Sequence, residues 1–93
     1  MIVSFACRKT ERLWHRQSDH SLPPQIERVA LRKLTQLDRS RGLIDLRLPP
    51  GNRLEALKGG RRGQHSIRVN DQWRICFRWQ DSNAYAVEIV DYH

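Results

Sequence analysis

The sequence predicts an α+β fold in one domain, with N-terminal helices packed on a small, mainly antiparallel sheet. Three observations carry this expectation. Ile26, Val29, Ala30, Leu34 and Leu37 recur at spacings of three and four, the apolar stripe of an amphipathic helix. From His65 onward the period changes to two, which is the alternation of half-buried strands. Turn formers separate these runs, Asn70-Asp71 after the first and Asp81-Ser82-Asn83 after the second, so the strands follow one another as a meander. A chain of 93 residues suits a single domain, and the whole of residues 1–93 is assigned to it.

Taken in order, residues 2–5 are expected to form a short strand. Residues 8–17 are polar apart from Leu13 and Trp14 and are assigned to a helix. Ser21-Leu22-Pro23-Pro24 reads as a helix entrance, because the amide that proline lacks would find no partner in a first turn. The stripe from Ile26 to Leu37 follows, with Gly42 as its expected stop. Residues 43–51 hold several leucines and end in Pro49-Pro50-Gly51, which must turn. Three strands complete the chain. His65, Ile67 and Val69 alternate with Ser66, Arg68 and Asn70, and Trp73, Ile75, Phe77 and Trp79 alternate with Arg74, Cys76 and Arg78. Tyr85, Val87 and Ile89 alternate with Ala86, Glu88 and Val90.

Charge narrows the class of partner. Seventeen Lys and Arg stand against ten Asp and Glu, a net charge of +7, and fourteen of the seventeen are Arg. A guanidinium grips phosphate oxygens in pairs and stacks on bases, which an ammonium cannot do. The excess therefore points to a polyanion, nucleic acid first, with membrane surfaces and acidic proteins as alternatives. Cys7 and Cys76 lie too far apart for metal-ligand spacing and are read as reduced thiols, so no metal and no cofactor is expected. No secretory signal and no membrane-spanning run is present, so a soluble, cytoplasmic protein is expected.

The alternation has a chemical consequence. If Trp73, Ile75, Phe77 and Trp79 are buried against the helices, Arg74 and Arg78 project from the other face, and Arg68 lies on the polar face of the preceding strand. Lys58-Gly59-Gly60-Arg61-Arg62-Gly63 supplies a flexible basic loop at one end of that sheet. Between Arg53 and Arg78 there are seven basic residues and two acidic ones, a density suited to a folded phosphate backbone and equally present on ordinary solvated sheet faces. Arg53, Arg61, Arg62, Arg68 and Arg78 are the candidate RNA-binding residues. The glycines at 59, 60 and 63 match neither the Walker nor the dinucleotide pattern. The chain closes on Asp91-Tyr92-His93, three groups able to accept, donate or move protons, and imidazole is the side chain best suited to that at neutral pH. His15 and His20 fall in polar sequence, and His65 sits on an apolar alternation.

Several of these runs carry a resemblance. Leu57-Lys58-Gly59, then Gly63-Gln64-His65-Ser66-Ile67-Arg68-Val69, then Gln72-Trp73-Arg74-Ile75-Cys76-Phe77, and finally Val87-Glu88-Ile89-Val90-Asp91-Tyr92-His93 resemble the HigB family of the RelE/ParE toxin–antitoxin superfamily. The likeness includes Pro49-Pro50-Gly51-Asn52-Arg53-Leu54 and covers nearly the whole chain. It implies a microbial-ribonuclease-like fold and ribosome-dependent cleavage of messenger RNA. It also implies neutralisation by a HigA-like helix-turn-helix antitoxin and, through that complex, repression at operator DNA. The family's functional positions carry over as Asp91, Tyr92, His93, Lys58 and Arg74. One departure is Glu55, which stands where some members have His.

These residue types permit metal-free cleavage in which the ribose 2′-hydroxyl attacks its 3′-phosphate, the 5′-oxygen leaves and a 2′,3′-cyclic phosphate forms. The reaction needs a base, an acid and cations for the crowded phosphate charge. Arg74 and Lys58 suit the last task, and His93 with Tyr92 and Asp91 suits proton transfer, base and acid unassigned. DNA, lacking the 2′-hydroxyl, is excluded as substrate. Two other readings stay open at this stage: a ParE-like inhibitor that binds DNA gyrase without cleaving, and a non-catalytic RNA-binding module.

Overall fold

The computed structural model describes residues 1–91, so Tyr92 and His93 fall outside the described residues. Two helices, α1 (Arg8–Trp14) and α2 (Pro24–Arg39), pack on one face of a four-stranded antiparallel sheet in the order β1-β2-β3-β4. The strands are β1 (Glu55–Ala56), β2 (Gln64–Arg68), β3 (Trp73–Gln80) and β4 (Asn83–Asp91). The predicted fold class is the observed one.

Helix α2 starts at Pro24 as the proline pair requires, and Ile26, Ala30, Leu34 and Leu37 form its buried line. It ends earlier than expected. Ser40 leaves the helix in extended conformation and its hydroxyl donates to the Gln36 carbonyl, so the serine, and not Gly42, is the stop. Helix α1 is also shorter than expected, because Arg16 turns left-handed at φ 60°. Between α2 and β1 the chain runs through short 3-10 turns at Leu43–Arg47 and Pro50–Asn52.

The sheet departs from the expected alternation at one point. Cys76 pairs with Glu88, but Arg78 pairs with Tyr85, so Ala86 and Val87 together oppose the single residue Phe77. Ala86 is left-handed at φ 52°, the signature of an inserted bulge residue. The insertion shifts the residues before it: Ala84 joins Val87 and Ile89 in the core, and Tyr85, which the alternation groups with Val87 and Ile89, pairs with Arg78 instead. Residues 2–5, expected as a short strand, do not form a regular one. They make two isolated parallel bridges to β4, Ile2 with Ala84 and Phe5 with Val87, and the Ser4 hydroxyl accepts the Ala86 amide between them. The sequence alternation also missed β1, whose two residues pair Glu55 with Ser66 and Ala56 with His65.

The core is one cluster between the helices and the sheet, built on Leu34, Leu37, Leu46, Ile67, Ile75, Phe77 and Val87, all fully buried. Trp73 and Trp79 pack at its margin, half-buried. No helix is long and apolar enough to cross a membrane.

Candidate nucleic-acid interface

The register builds the site. With the helices on the Ile75 side, the opposite face carries three rows of side chains. Arg68, Arg74 and Val90 form one row. Glu55, Ser66, Cys76 and Glu88 form the next, and Gln64, Arg78 and Tyr85 the third. Strand alternation along β3 and the pairing of Arg68 with Arg74 thus place Arg68, Arg74 and Arg78 together.

Arg74 is the centre of this face, on the side the alternation assigns it, and it lies against the sheet and not in open solvent. Only 11% of its side chain is exposed. Its Nε donates to Ser66 Oγ at 2.8 Å, and a terminal nitrogen donates to the Arg53 carbonyl at 2.7 Å and lies 3.7 Å from Glu55 Oε1. The reason is geometric: Ser66 is one strand over and eight residues back, and the chain entering β1 crosses the end of the guanidinium. Arg53, at φ 45°, is left-handed, and that conformation turns its carbonyl to Arg74.

A cleft of about 350 Å³ opens beside this anchor, lined by Arg53, Glu55, Arg68, Asn70, Asp71 and Arg74. Arg68 is ion-paired with Asp71, which projects from the β2–β3 turn almost wholly exposed. Asn70 shapes that turn, accepting the Gln72 and Trp73 amides on its side-chain oxygen at 2.9 and 2.8 Å. Three guanidinium groups against two carboxylates leave the cleft cationic.

The basic loop between β1 and β2 lies across the same face. Arg61 reaches Glu88 at 2.7 Å and Gln64 at 3.1 Å. Arg78 lies so close to Gly63 that a Cβ there would come within 2.9 Å of its guanidinium; with φ at +89°, only glycine suits the position. Lys58 and Arg62 are exposed and share a second recess of about 450 Å³ with Leu57 and Gly59. Cys76 is fully buried in the middle of the face. Burial pushes its thiol above the ordinary value, against the pull of Arg61 and Arg74 and with a contribution from Glu88.

The expected site residues therefore divide. Arg53, Arg68 and Arg74 meet at one cleft, and Lys58 meets Arg62 at a neighbouring recess, with Arg61 and Arg78 on the face between. Asp91 pairs with Trp73 in register, on the helix side of the sheet, and its carboxylate accepts from Gln72 at 3.0 Å. The register does not bring it onto the arginine face. Tyr92 and His93 lie outside the described residues. Ser66, Asn70 and Glu88 were not singled out in the sequence, although the period-two reading already placed Ser66 beside Arg68. His65 behaves as its apolar neighbours predict: it stacks on Phe77 at 6.1 Å between centroids, on the core side. Among the described residues no three His, Cys, Asp or Glu side chains come together to hold a metal ion.

Comparison with known proteins gives the family and the fold. The profile of the HigB-like toxins, described as RelE-like toxins of type II toxin–antitoxin systems, matches residues 3–93. The chain belongs to the HigB-like toxin family. A relative from Vibrio cholerae named Toxin HigB-1 is 42% identical over 85 residues, covering 90% of each chain. A protein from Proteus vulgaris named Endoribonuclease HigB is 44% identical over 41 residues, 44% of this chain and 45% of that one. Among solved structures, the YoeB-YefM complex from Staphylococcus aureus holds a chain with the same fold. The TM-score is 0.59 at 18% identity, and the match covers 100% of this chain and 95% of that one.

Proposed function

We propose that this HigB-like toxin is a metal-free endoribonuclease that cuts messenger RNA on the ribosome. The observation that supports it is the cationic cleft floored by Arg74, with Glu55 at 3.7 Å from the guanidinium. A guanidinium held by Ser66 and a backbone carbonyl is fixed before substrate arrives, and fixed donors aimed at developing phosphate charge are the strongest form of electrostatic catalysis. An incoming scissile phosphate competes with Glu55 for Arg74. Release of that carboxylate beside the bound ribose makes it a base for the 2′-hydroxyl, at the position where the resembling family sometimes has His. Lys58 and Arg62 hold the flanking backbone, with Arg53, Arg61, Arg68 and Arg78 tracking the strand. His93, with Tyr92, supplies the proton to the leaving 5′-oxygen in this reading; Asp91, on the other side of the sheet, takes no part in it.

The partners follow from the same reading: a ribosome carrying message, a HigA-like helix-turn-helix antitoxin, and operator DNA through that antitoxin. The test is to incubate the purified protein with translating ribosomes and map message 5′ ends. Cuts within codons, carrying 2′,3′-cyclic phosphate on the upstream fragment, are expected. Arrested DNA supercoiling with intact message would replace this reading by gyrase inhibition, and retention on ribosomes without cuts would reduce it to RNA binding.

A further inference from the structure

Charge is distributed unevenly between the two halves of the chain, and the larger excess does not lie at the cleft. Ten of the seventeen basic residues precede Arg53, against five acidic ones. Four of those five acids are engaged elsewhere. Asp19 pairs with Arg12, Glu27 takes the Ser18 hydroxyl, Asp38 takes the Ile2 amide, and Asp45 takes the amides of Arg41 and Gly42. Glu11 sits on α1.

Helix α2 shows where part of the excess goes. Arg28, Arg32 and Arg39 are all exposed, and at 100° per residue they fall within about 40° of one another, directly opposite the buried Ala30. They span about 16 Å along the axis. No acidic residue stands three or four positions from any of them, and none has a carboxylate partner among the described residues. Arg28 and Arg32 repel each other at i,i+4, an arrangement that weakens a helix unless something else neutralises it. The stripe begins at a recess lined by Pro24, Gln25, Arg28 and Val29. It lies on the helix side of the sheet, whereas the arginine cleft lies on the opposite side, so one short strand of RNA does not reach both.

We infer that the Arg28–Arg32–Arg39 stripe of α2 is a second nucleic-acid surface, which grips the phosphate backbone of a folded RNA while the cleft handles the strand to be cut. The composition of the stripe favours phosphate over protein. Protein interfaces are anchored by buried aromatic or aliphatic side chains, and the large apolar residues that are exposed, Met1, Val3, Ile44 and Leu48, all lie off α2. Backbone recognition needs only spaced cations and polar neighbours, here Gln25, Thr35 and Gln36. The choice of RNA rests on the cleavage reading of the opposite face; the anionic backbone does not.

The probe is a labelled RNA hairpin with no single-stranded substrate segment, titrated at several salt concentrations. It is bound to the wild type, to Arg28→Gln/Arg32→Gln/Arg39→Gln, and to Arg74→Ala. The triple variant is expected to melt like the wild type, bind roughly tenfold or more weakly, and show a log–log salt slope shallower by about two. Arg74→Ala should retain hairpin binding. On translating ribosomes the triple variant should need more ribosomes for half-maximal cutting at an unchanged maximal rate, the mark of lost binding that does not act on the transition state. Hairpin binding is read without any cleavage, so absence of cutting by every variant overturns the cleavage reading and leaves the phosphate-binding role of the stripe standing. An unchanged affinity and slope in the triple variant overturn the inference. Tighter binding of a DNA duplex of the same sequence overturns the assignment to RNA, and equal, stripe-dependent binding of polyglutamate overturns it in favour of an acidic protein.

Discussion

Arg74 is held by the same contacts that make it useful. Bonds to Ser66 and to the Arg53 carbonyl fix the guanidinium at the cleft floor, and they also tie β1 and its entry to the middle of the sheet. Arg74→Ala is therefore expected to lower cleavage by about 10²–10³, as removal of one charge-stabilising donor does. It should also cost about 1–2 kcal/mol of stability, because the buried Ser66 hydroxyl loses its donor. Urea unfolding and message cleavage on the same preparation separate the two effects; a variant that is less stable yet cuts at the wild-type rate removes Arg74 from the chemistry. His93 is tested by the same pair of measurements. His93→Gln should lower cleavage by about 10²–10⁴, the contribution of a positioned acid or base, at an unchanged melting temperature. Cys76 supplies the pH dependence. Its thiol is raised by burial, so the folded state holds its proton where the unfolded state has lost it. The stability it contributes is complete below the ordinary thiol value and is lost as pH rises through the raised one. Lys33, lowered by burial, pulls stability the other way in the same alkaline range. The difference between wild type and Cys76→Ala isolates the thiol: wild type should lose stability faster above about pH 9. Parallel curves would mean that Cys76 titrates as an exposed thiol does.

At the scale of elements, the segment between α2 and β1 decides whether the cleft exists. Asn52 is fully buried and accepts the Lys33 ammonium, while its amide nitrogen donates to Gln36 at 3.0 Å and to the Leu46 and Leu48 carbonyls at 3.2 Å. The next residue, Arg53, is the left-handed one whose carbonyl meets Arg74. Asn52→Ala would strand the buried Lys33 ammonium and the Leu46 carbonyl, while the Leu48 carbonyl keeps its Gln36 donor, a loss of about 3 kcal/mol. Chemical denaturation should show that loss, and Arg74-dependent cleavage should fall with it. A variant of undiminished stability would mean that water replaces the amide. This segment also marks the boundary of what the sequence conveys. Helix α2 and strands β2 to β4 were legible because burial imposes period 3.6 or period two over many residues. Two-residue β1 is too short to show a period, and the Ala86 bulge leaves no mark, since alanine is not the residue that left-handed backbone advertises. The cleft was legible in part for the same reason. Period two put Arg68, Arg74 and Arg78 on one face, but the pairing of Arg74 with the Arg53 carbonyl depends on a turn that buried Asn52 organises from nineteen residues beyond Lys33. Asp91 was grouped with the site by its neighbours in the chain, and strand register set it on the other side.

For the whole molecule the governing quantity is the net charge of +7, spread over two opposite faces. Counterions released from RNA supply much of the affinity of such a protein, so binding to ribosomes or to isolated RNA should weaken steeply with added salt. The two neighbouring arginines of the basic loop should contribute unequally. Arg62 is exposed beside Lys58, and its whole charge is offered to a phosphate. Arg61 is engaged with Glu88 and Gln64, so a phosphate must displace a carboxylate to gain it, and the net charge neutralised there is smaller. Arg62→Ala is expected to make the log–log salt slope of RNA binding shallower by about 0.7–0.9, the share of one phosphate contact. Arg61→Ala should change the slope by less, and Glu88→Gln should tighten binding by releasing Arg61 to the RNA. Neither arginine variant should shift the melting temperature much, because exposed or partly exposed ion pairs contribute about 0–1 kcal/mol. Slopes measured for the three variants and the wild type at one temperature decide the matter. Equal shallowing by Arg61→Ala and Arg62→Ala would show that the Glu88 pairing is open in solution, and a salt-independent affinity in the wild type would move the partner from RNA to an uncharged protein surface.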